Sequence, residues 1–179
     1  MNFDRLKKNI FDFIKEQQVK LGYRKESIRL YYPLQSLNRL LATDLNENEM
    51  KQALKAFAES VKDELGTIKV SSDNNRLCIF LPEEASEFIY THTEQQGFIY
   101  DFIAAVSKHN VTIEEIIEQF RKYSDFVHVE KVNHEDFDYL VYFENGQPDD
   151  YRYCLKDEGD HIKYHRFTIE DYNDFHFDN

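Results

Sequence analysis

Apolar residues recur every three to four positions from Phe3, at Leu6, Ile10, Phe13 and Ile14, with Asp4, Arg5, Lys7, Lys8, Lys15 and Glu16 between them. That spacing predicts an amphipathic first helix. Lys20 suits its last turn, where the helix dipole favours a cation, and Gly22 can take the left-handed conformation that closes it. The period then drops to two. Ile28, Leu30 and Tyr32 alternate with Arg29 and Tyr31, as in a short half-buried strand. Pro33 is tolerated at a helix start, and Leu34, Leu37, Leu40 and Leu41 give that second helix one apolar face. Asn46 and Glu49 have capping-box spacing, and Met50, Leu54, Phe57, Val61 and Leu65 carry a third helix to a stop at Gly66. Two strand-like runs, 67–71 and 76–81, flank a polar tip at 72–75 and read as a hairpin.

Helix, strand, helix, helix and hairpin is the element order of a winged helix. Residues 1–81 are therefore expected to form a winged-helix-like unit, with 82–179 as a second unit that either stands alone or shares its core. In the second stretch Pro82, Glu83, Glu84 and Glu87 mark a negatively charged helix start with Phe88 and Ile89 as its apolar contacts. Thr93 and Gln96 again have capping-box spacing, opening a helix with Gly97 inside it and a stripe of Phe98, Ile99, Phe102, Ile103 and Val106. Thr112 and Glu115 cap another helix that buries Ile113, Ile116, Ile117 and Phe120.

Beyond Asp125 the period is two. Runs at 126–132, 137–144, 151–156 and 161–168, separated by polar turns, predict an antiparallel meander. Phe137, Tyr139, Val141 and Phe143 should pack on the helices, with Asp138, Leu140, Tyr142 and Glu144 facing away. The tail from Glu170 places Tyr172, Phe175 and Phe177 among acids, which suits a docked segment. The fold class is α+β: a winged-helix-like N-terminal unit, a helical segment and an antiparallel β-meander.

Charge divides the chain. The formal net charge is -12. Residues 1–81 carry 14 basic and 11 acidic side chains, whereas 82–179 carry 8 and 23. Such asymmetry points to two functional surfaces. It also lowers the expectation of DNA binding, because the third helix is net negative and opens with Glu47 and Glu49 where a recognition helix meets bases and phosphates. Useful non-specific DNA affinity usually rests on about 6–10 phosphate contacts. At 179 residues the chain can bury roughly 70% of its unfolded surface and needs no staples. Cys78 and Cys154 are solitary, which fits a reducing, cytoplasmic setting and excludes a sulfur-rich zinc site. The N-terminus lacks the apolar stretch of a signal peptide, and no run approaches the roughly 20 apolar residues that span a bilayer.

Catalytic signatures are missing. His161 and His165 would meet on a helix, but on the expected strand they stand about 13 Å apart. The ligand-rich run from His134 falls in a turn, and His128 and Glu130 share a strand face without a third ligand. There is no Gly-x-Ser-x-Gly, and the five glycines are too scattered to cradle a phosphate. No cofactor or metal is expected. The remaining candidates are basic and aromatic: Arg24, Lys25, Arg29 and Tyr31, in the most positive island of the chain, as contacts for an anion or a partner.

These four lie within Lys-Leu-Gly-Tyr-Arg-Lys-Glu-Ser-Ile-Arg-Leu-Tyr-Tyr-Pro-Leu, residues 20–34. That segment resembles an uncharacterised bacterial family, a domain of unknown function of about this whole length. The resemblance implies a small cytoplasmic bacterial protein and brings no activity or catalytic residues with it. The expected function is a noncatalytic interaction or regulatory module whose partner is another protein. A DNA-binding regulator using the first unit, and an enzyme with a site in the C-terminal sheet, are the alternatives.

Overall fold

The computed structural model describes residues 1–73 and 76–174, which fall into two compact units, Met1–Gln95 and Gln96–Asn179. In the first, the order is α1 (Phe3–Leu21), β1 (Ile28–Pro33), α2 (Leu34–Leu41), α3 (Glu47–Ser60), α4 (Lys62–Leu65), β2 (Lys69–Asp73), β3 (Arg76–Leu81) and α5 (Glu83–His92). The three strands are antiparallel in the order β1-β3-β2. Leu6, Ile10 and Ile14 of α1 pack with Leu37 of α2, Leu54 and Phe57 of α3, and the inward residues Leu30, Leu77 and Ile79 of the sheet, all buried.

Local chemistry sets the helix ends. Gly22 adopts φ 71° and returns its N–H to the Gln18 carbonyl at 2.9 Å, closing α1. At α3 the capping box is complete: Asn46 Oδ1 accepts from the Glu49 N–H at 3.1 Å, and Glu49 Oε2 accepts from the Asn46 N–H at 3.0 Å. The helix expected over 46–65 breaks at Val61, which has φ -113° and ψ 10°. Just before the break the Ser60 hydroxyl donates to the Phe57 carbonyl at 2.7 Å, a side-chain bond that competes with the helical ladder.

The division after Gln95 puts residues 82–95 with the first unit, whereas sequence patterning put the boundary after Leu81. The reason is tertiary. Ser86 of α5 is fully buried, its hydroxyl accepts the Glu26 N–H at 2.7 Å and donates to the Glu26 carbonyl at 2.8 Å, and its own carbonyl accepts from Gln18 Nε2 at 2.8 Å. Helix α5 is thereby fastened to α1 and to the turn after it. With those residues included, the first unit holds 14 basic and 15 acidic side chains and the second 8 and 19, so the acidic excess belongs to the second.

The second unit contains α6 (Phe98–Val106), α7 (Ile113–Arg121), β4 (Val127–Lys131), β5 (Tyr139–Phe143), β6 (Arg152–Asp157), β7 (Ile162–Phe167) and α8 (Ile169–Asp174). The strands form a four-stranded antiparallel meander, β4-β5-β6-β7. One face meets α6 and α7 through a ring cluster: Phe98 lies 4.9 Å from Phe143, Phe102 lies 4.9 Å from Tyr153, and Phe120 lies 5.2 Å from both Phe143 and Tyr153. Thr112 and Glu115 form the expected capping box of α7.

Two local expectations change. Thr93 does not cap α6; its hydroxyl donates to the Ile89 carbonyl at 2.6 Å and ends α5, while Gly97, at φ 107°, is the residue before α6 rather than one inside it. Phe137 does not join the helix-facing row of β5. It precedes the strand and packs on the opposite face with Leu140 and Cys154. Alternation fails at Asp138, whose carboxylate accepts the Asp157 N–H at 2.9 Å and the Lys156 ammonium at 3.3 Å. Tyr172 of α8 packs against the same cluster. Phe175 and Phe177, like the hairpin tip at Asn74 and Asn75, lie outside the described residues.

Candidate functional site

The pleat of the first unit's sheet puts Leu30, Leu77 and Ile79 inward, so the residues between them face out. Register arranges the outward residues in rows. Arg29, Phe80 and Lys69 stand side by side across β1, β3 and β2. Tyr31, Cys78 and Ser71 make the next row, and Pro33 and Arg76 stand in the third, where the register partner of Arg76 on β2 is Asp73. Arg29, Lys69 and Arg76 are exposed, Tyr31 is 48% exposed, Phe80 is half-buried, and Cys78 is a buried floor between its neighbours. The Arg29 guanidinium carbon is 5.4 Å from the Phe80 ring centre, and Lys69 Nζ is 5.7 Å from it on the other side. One aromatic ring is thus bracketed by two cations, a contact worth roughly 0.5–1 kcal/mol at exposed sites. Among the described side chains none of Arg29, Lys69 and Arg76 forms an ion pair.

Of the four residues singled out from sequence, Arg29 and Tyr31 stand on this face. Arg24 and Lys25 do not. Arg24 lies over the Tyr90 ring, its guanidinium carbon 4.9 Å from the centre, and Lys25 Nζ is 2.9 Å from Glu87 Oε2. The hydrogen bond to Glu87, and then its charge, raise the Lys25 pKa. Both members of that pair are about half exposed, at 53% and 51%, where ion pairs contribute little to stability. Replacing Arg24 and Lys25 together with Ala should therefore leave the midpoint of thermal unfolding, followed by circular dichroism, close to that of the parent chain. A large drop would show that the turn depends on them.

Lys69, Arg76 and Phe80 escaped sequence reasoning. Period-two alternation in 67–71 and 76–81 was visible, but placing Phe80 between Arg29 and Lys69 requires the strand order β1-β3-β2 and the register, neither of which is written in any one segment. Beside the sheet, Glu47 is paired with Lys51 at 2.6 Å. That hydrogen bond, with a second from Ser72, holds its carboxyl below the usual range.

The outer face of the meander offers a different environment. A cavity of about 490 Å³ is lined by Phe137, His165 and Phe167, by Lys156 and Lys163, and by Glu135, Asp136 and Glu158. Its cations are engaged: Lys156 Nζ donates to the Glu135 carbonyl at 3.1 Å and to Asp138 Oδ1 at 3.3 Å, and Lys163 is paired with Glu158. His161 lies before β7 and contacts Glu158 Oε2 at 3.0 Å and Asp160 Oδ1 at 2.6 Å, apart from His165. No group of three or more His, Cys, Asp or Glu among the described residues could hold a metal. Burial pushes the Cys154 thiol up to about 12, so it is a protonated, inert side chain at neutral pH.

Fold and surface define a two-unit α+β protein with an exposed cation-and-aromatic sheet face and, among its described residues, no helix long and apolar enough to cross a membrane. The chain belongs to the family DUF3877, described as a domain of unknown function, E. rectale gene description, whose model matches residues 3–176. E. rectale is a bacterium. No curated protein and no solved structure matches the chain.

Proposed function

We propose that this is a noncatalytic interaction or regulatory module of the bacterial cytoplasm, with a winged-helix-like first unit that binds another protein through the outer face of its sheet. The observation that carries this reading is the row Arg29, Phe80, Lys69, with Tyr31 in the next row and Arg76 in the one beyond: cations without ion-pair partners among the described side chains, on one exposed face of a chain whose net charge is -12. A surface of that sign speeds encounter with an acidic partner and disfavours basic ones. The two buried free cysteines support a reducing compartment.

Duplex DNA is the weaker reading. Helix α3 leads with Glu47 and Glu49, and the sheet face supplies three cations against the roughly 6–10 phosphate contacts that non-specific affinity usually needs. The test is affinity capture from the native host with the parent chain and with a triple variant, Arg29→Glu, Lys69→Glu and Arg76→Glu. The expected result is a specific protein retained by the parent and lost by the variant, whose unfolding midpoint stays close to the parent's because all three positions are exposed. Recovery of no specific protein, or equal recovery by both chains, would sink the reading. Salt-sensitive binding of labelled duplex at micromolar protein would replace it with the DNA reading.

A further inference from the structure

We infer that the partner's contribution to this face is an acidic, extended segment in which an apolar side chain stands between two carboxylates; this rests on the sheet face being the binding surface. Cation, aromatic ring and cation follow one another across the sheet. Neighbouring strands are about 4.8 Å apart, so the Arg29 and Lys69 positions, two strands apart, are separated by roughly 10 Å with Phe80 midway. In an extended chain the side chains at i, i+2 and i+4 share one face, and the outer two start roughly 13 Å apart at about 3.3 Å per residue, a span that two long carboxylate side chains angled inward bring to that distance. Two carboxylates so spaced reach Arg29 and Lys69 together, and the side chain between them falls on the ring of Phe80 and the buried Cys78, with Tyr31 as a wall.

The cation–π contacts leave both groups able to donate. Arg29 has a planar fork of N–H groups suited to one carboxylate, and Lys69 has a rotatable ammonium. Arg76 stands on the same face four residues from Phe80 along β3, two outward rows away from this one. A single nucleic-acid strand offers the same sign of charge but fits less well. Phe80 is half-buried and already flanked by Arg29 and Lys69, which limits stacking of bases on its ring, and three cations answer few phosphates. A short acidic peptide needs only two or three.

The experiment uses fluorescently labelled synthetic peptides and the full chain, read by fluorescence polarisation. One peptide carries Glu-Thr-Leu-Thr-Glu within a Gly/Thr-rich extended sequence, a second has the same composition with the Leu moved outside the acids, and a third has Lys for each Glu. A short oligothymidylate is the nucleic-acid arm. The first peptide is expected to bind at least about tenfold more tightly than the third. Binding should weaken as ionic strength rises toward 1 M, where screening shortens to about 3 Å. Arg29→Glu with Lys69→Glu should abolish it, and Phe80→Ser should remove the preference of the first peptide over the second. Equal binding of the first two peptides, tighter binding of the oligothymidylate, or no peptide binding at all would each overturn the inference. If the captured protein is lost from the triple variant while every peptide fails, the sheet face stands as the binding surface and only the acidic-segment assignment falls. If capture is unaffected by the variant, the surface itself is wrong.

Discussion

Phe120→Ala is expected to destabilise the second unit by about 3–5 kcal/mol, the range for removing a buried aromatic side chain. Phe120 is fully buried on the inner face of α7. Its ring centre is 4.7 Å from Phe98, 5.6 Å from Phe102, and 5.2 Å from both Phe143 and Tyr153, so it joins both helices to two central strands. Each ring pair in such tilted or edge-on geometry adds roughly 0.5–1.5 kcal/mol beyond area burial, and truncation removes four of them while leaving a cavity that stiff neighbouring rings cannot close. The chain has no Trp, so urea unfolding is best followed by circular dichroism with tyrosine fluorescence. A loss below about 1 kcal/mol would mean that the cluster repacks freely, against the close packing expected of a core.

Asp149→Ala is expected to cost nearly as much, about 3 kcal/mol or more, because it removes the charged acceptor of two hydrogen bonds, each worth roughly 1.5–3 kcal/mol. Asp149 Oδ2 accepts from the Tyr153 hydroxyl at 2.6 Å, its Oδ1 accepts from the Tyr151 N–H at 2.9 Å, and Arg166 lies 3.9 Å away with only 8% of its side chain exposed. Arg166 also stacks on the Tyr151 ring at 4.3 Å. The Asp149 carboxylate thus ties the segment before β6 to the sheet. Tyr153→Phe keeps the packing and deletes the hydroxyl with its hydrogen bond to the charged Asp149, for about 1.5–3 kcal/mol. The two changes touch the same bond, so the double variant should lose less than their sum.

The same tyrosine makes a pH prediction. Burial, and then the charge of Asp149, raise the Tyr153 pKa well above its usual value. A phenol with a raised folded pKa contributes stability that is complete below the unfolded value, near 10, and is lost as pH rises through the window above it, because the unfolded chain releases its proton first. Stability should fall with alkali above about pH 10, and Tyr153→Phe should flatten that fall. An unchanged alkaline slope in the variant would assign the effect to other tyrosines.

How much could be read ahead of the structure depended on range. Caps and stops are local: Asn46 with Glu49, Thr112 with Glu115 and Gly22 each act within a few residues, and all three behave as their spacing implies. The four-strand meander was legible because alternation and turn residues suffice to mark consecutive hairpins. Phe137 was misplaced because Asp138 interrupts the alternation through bonds to Lys156 and Asp157, residues of another strand. Thr93 was misread because α6 begins only after Gly97, so Gln96 is not in its first turn, and Thr93 instead ends α5.

For the candidate site the split is sharper. Sequence by itself determined the α+β class, the period of each element, the uneven charge, and the placing of Arg29 and Tyr31 on a short strand. It could not decide which cations share a surface. Only the tertiary structure set β3 between β1 and β2, brought Lys69 and Arg76 to the same face as Arg29, and turned Lys25 toward Glu87 and Arg24 toward Tyr90. The physical reason is that a strand's pattern specifies which side chains share a face, while its neighbours and register come from burying Leu30, Leu77 and Ile79 against helices far away in the chain.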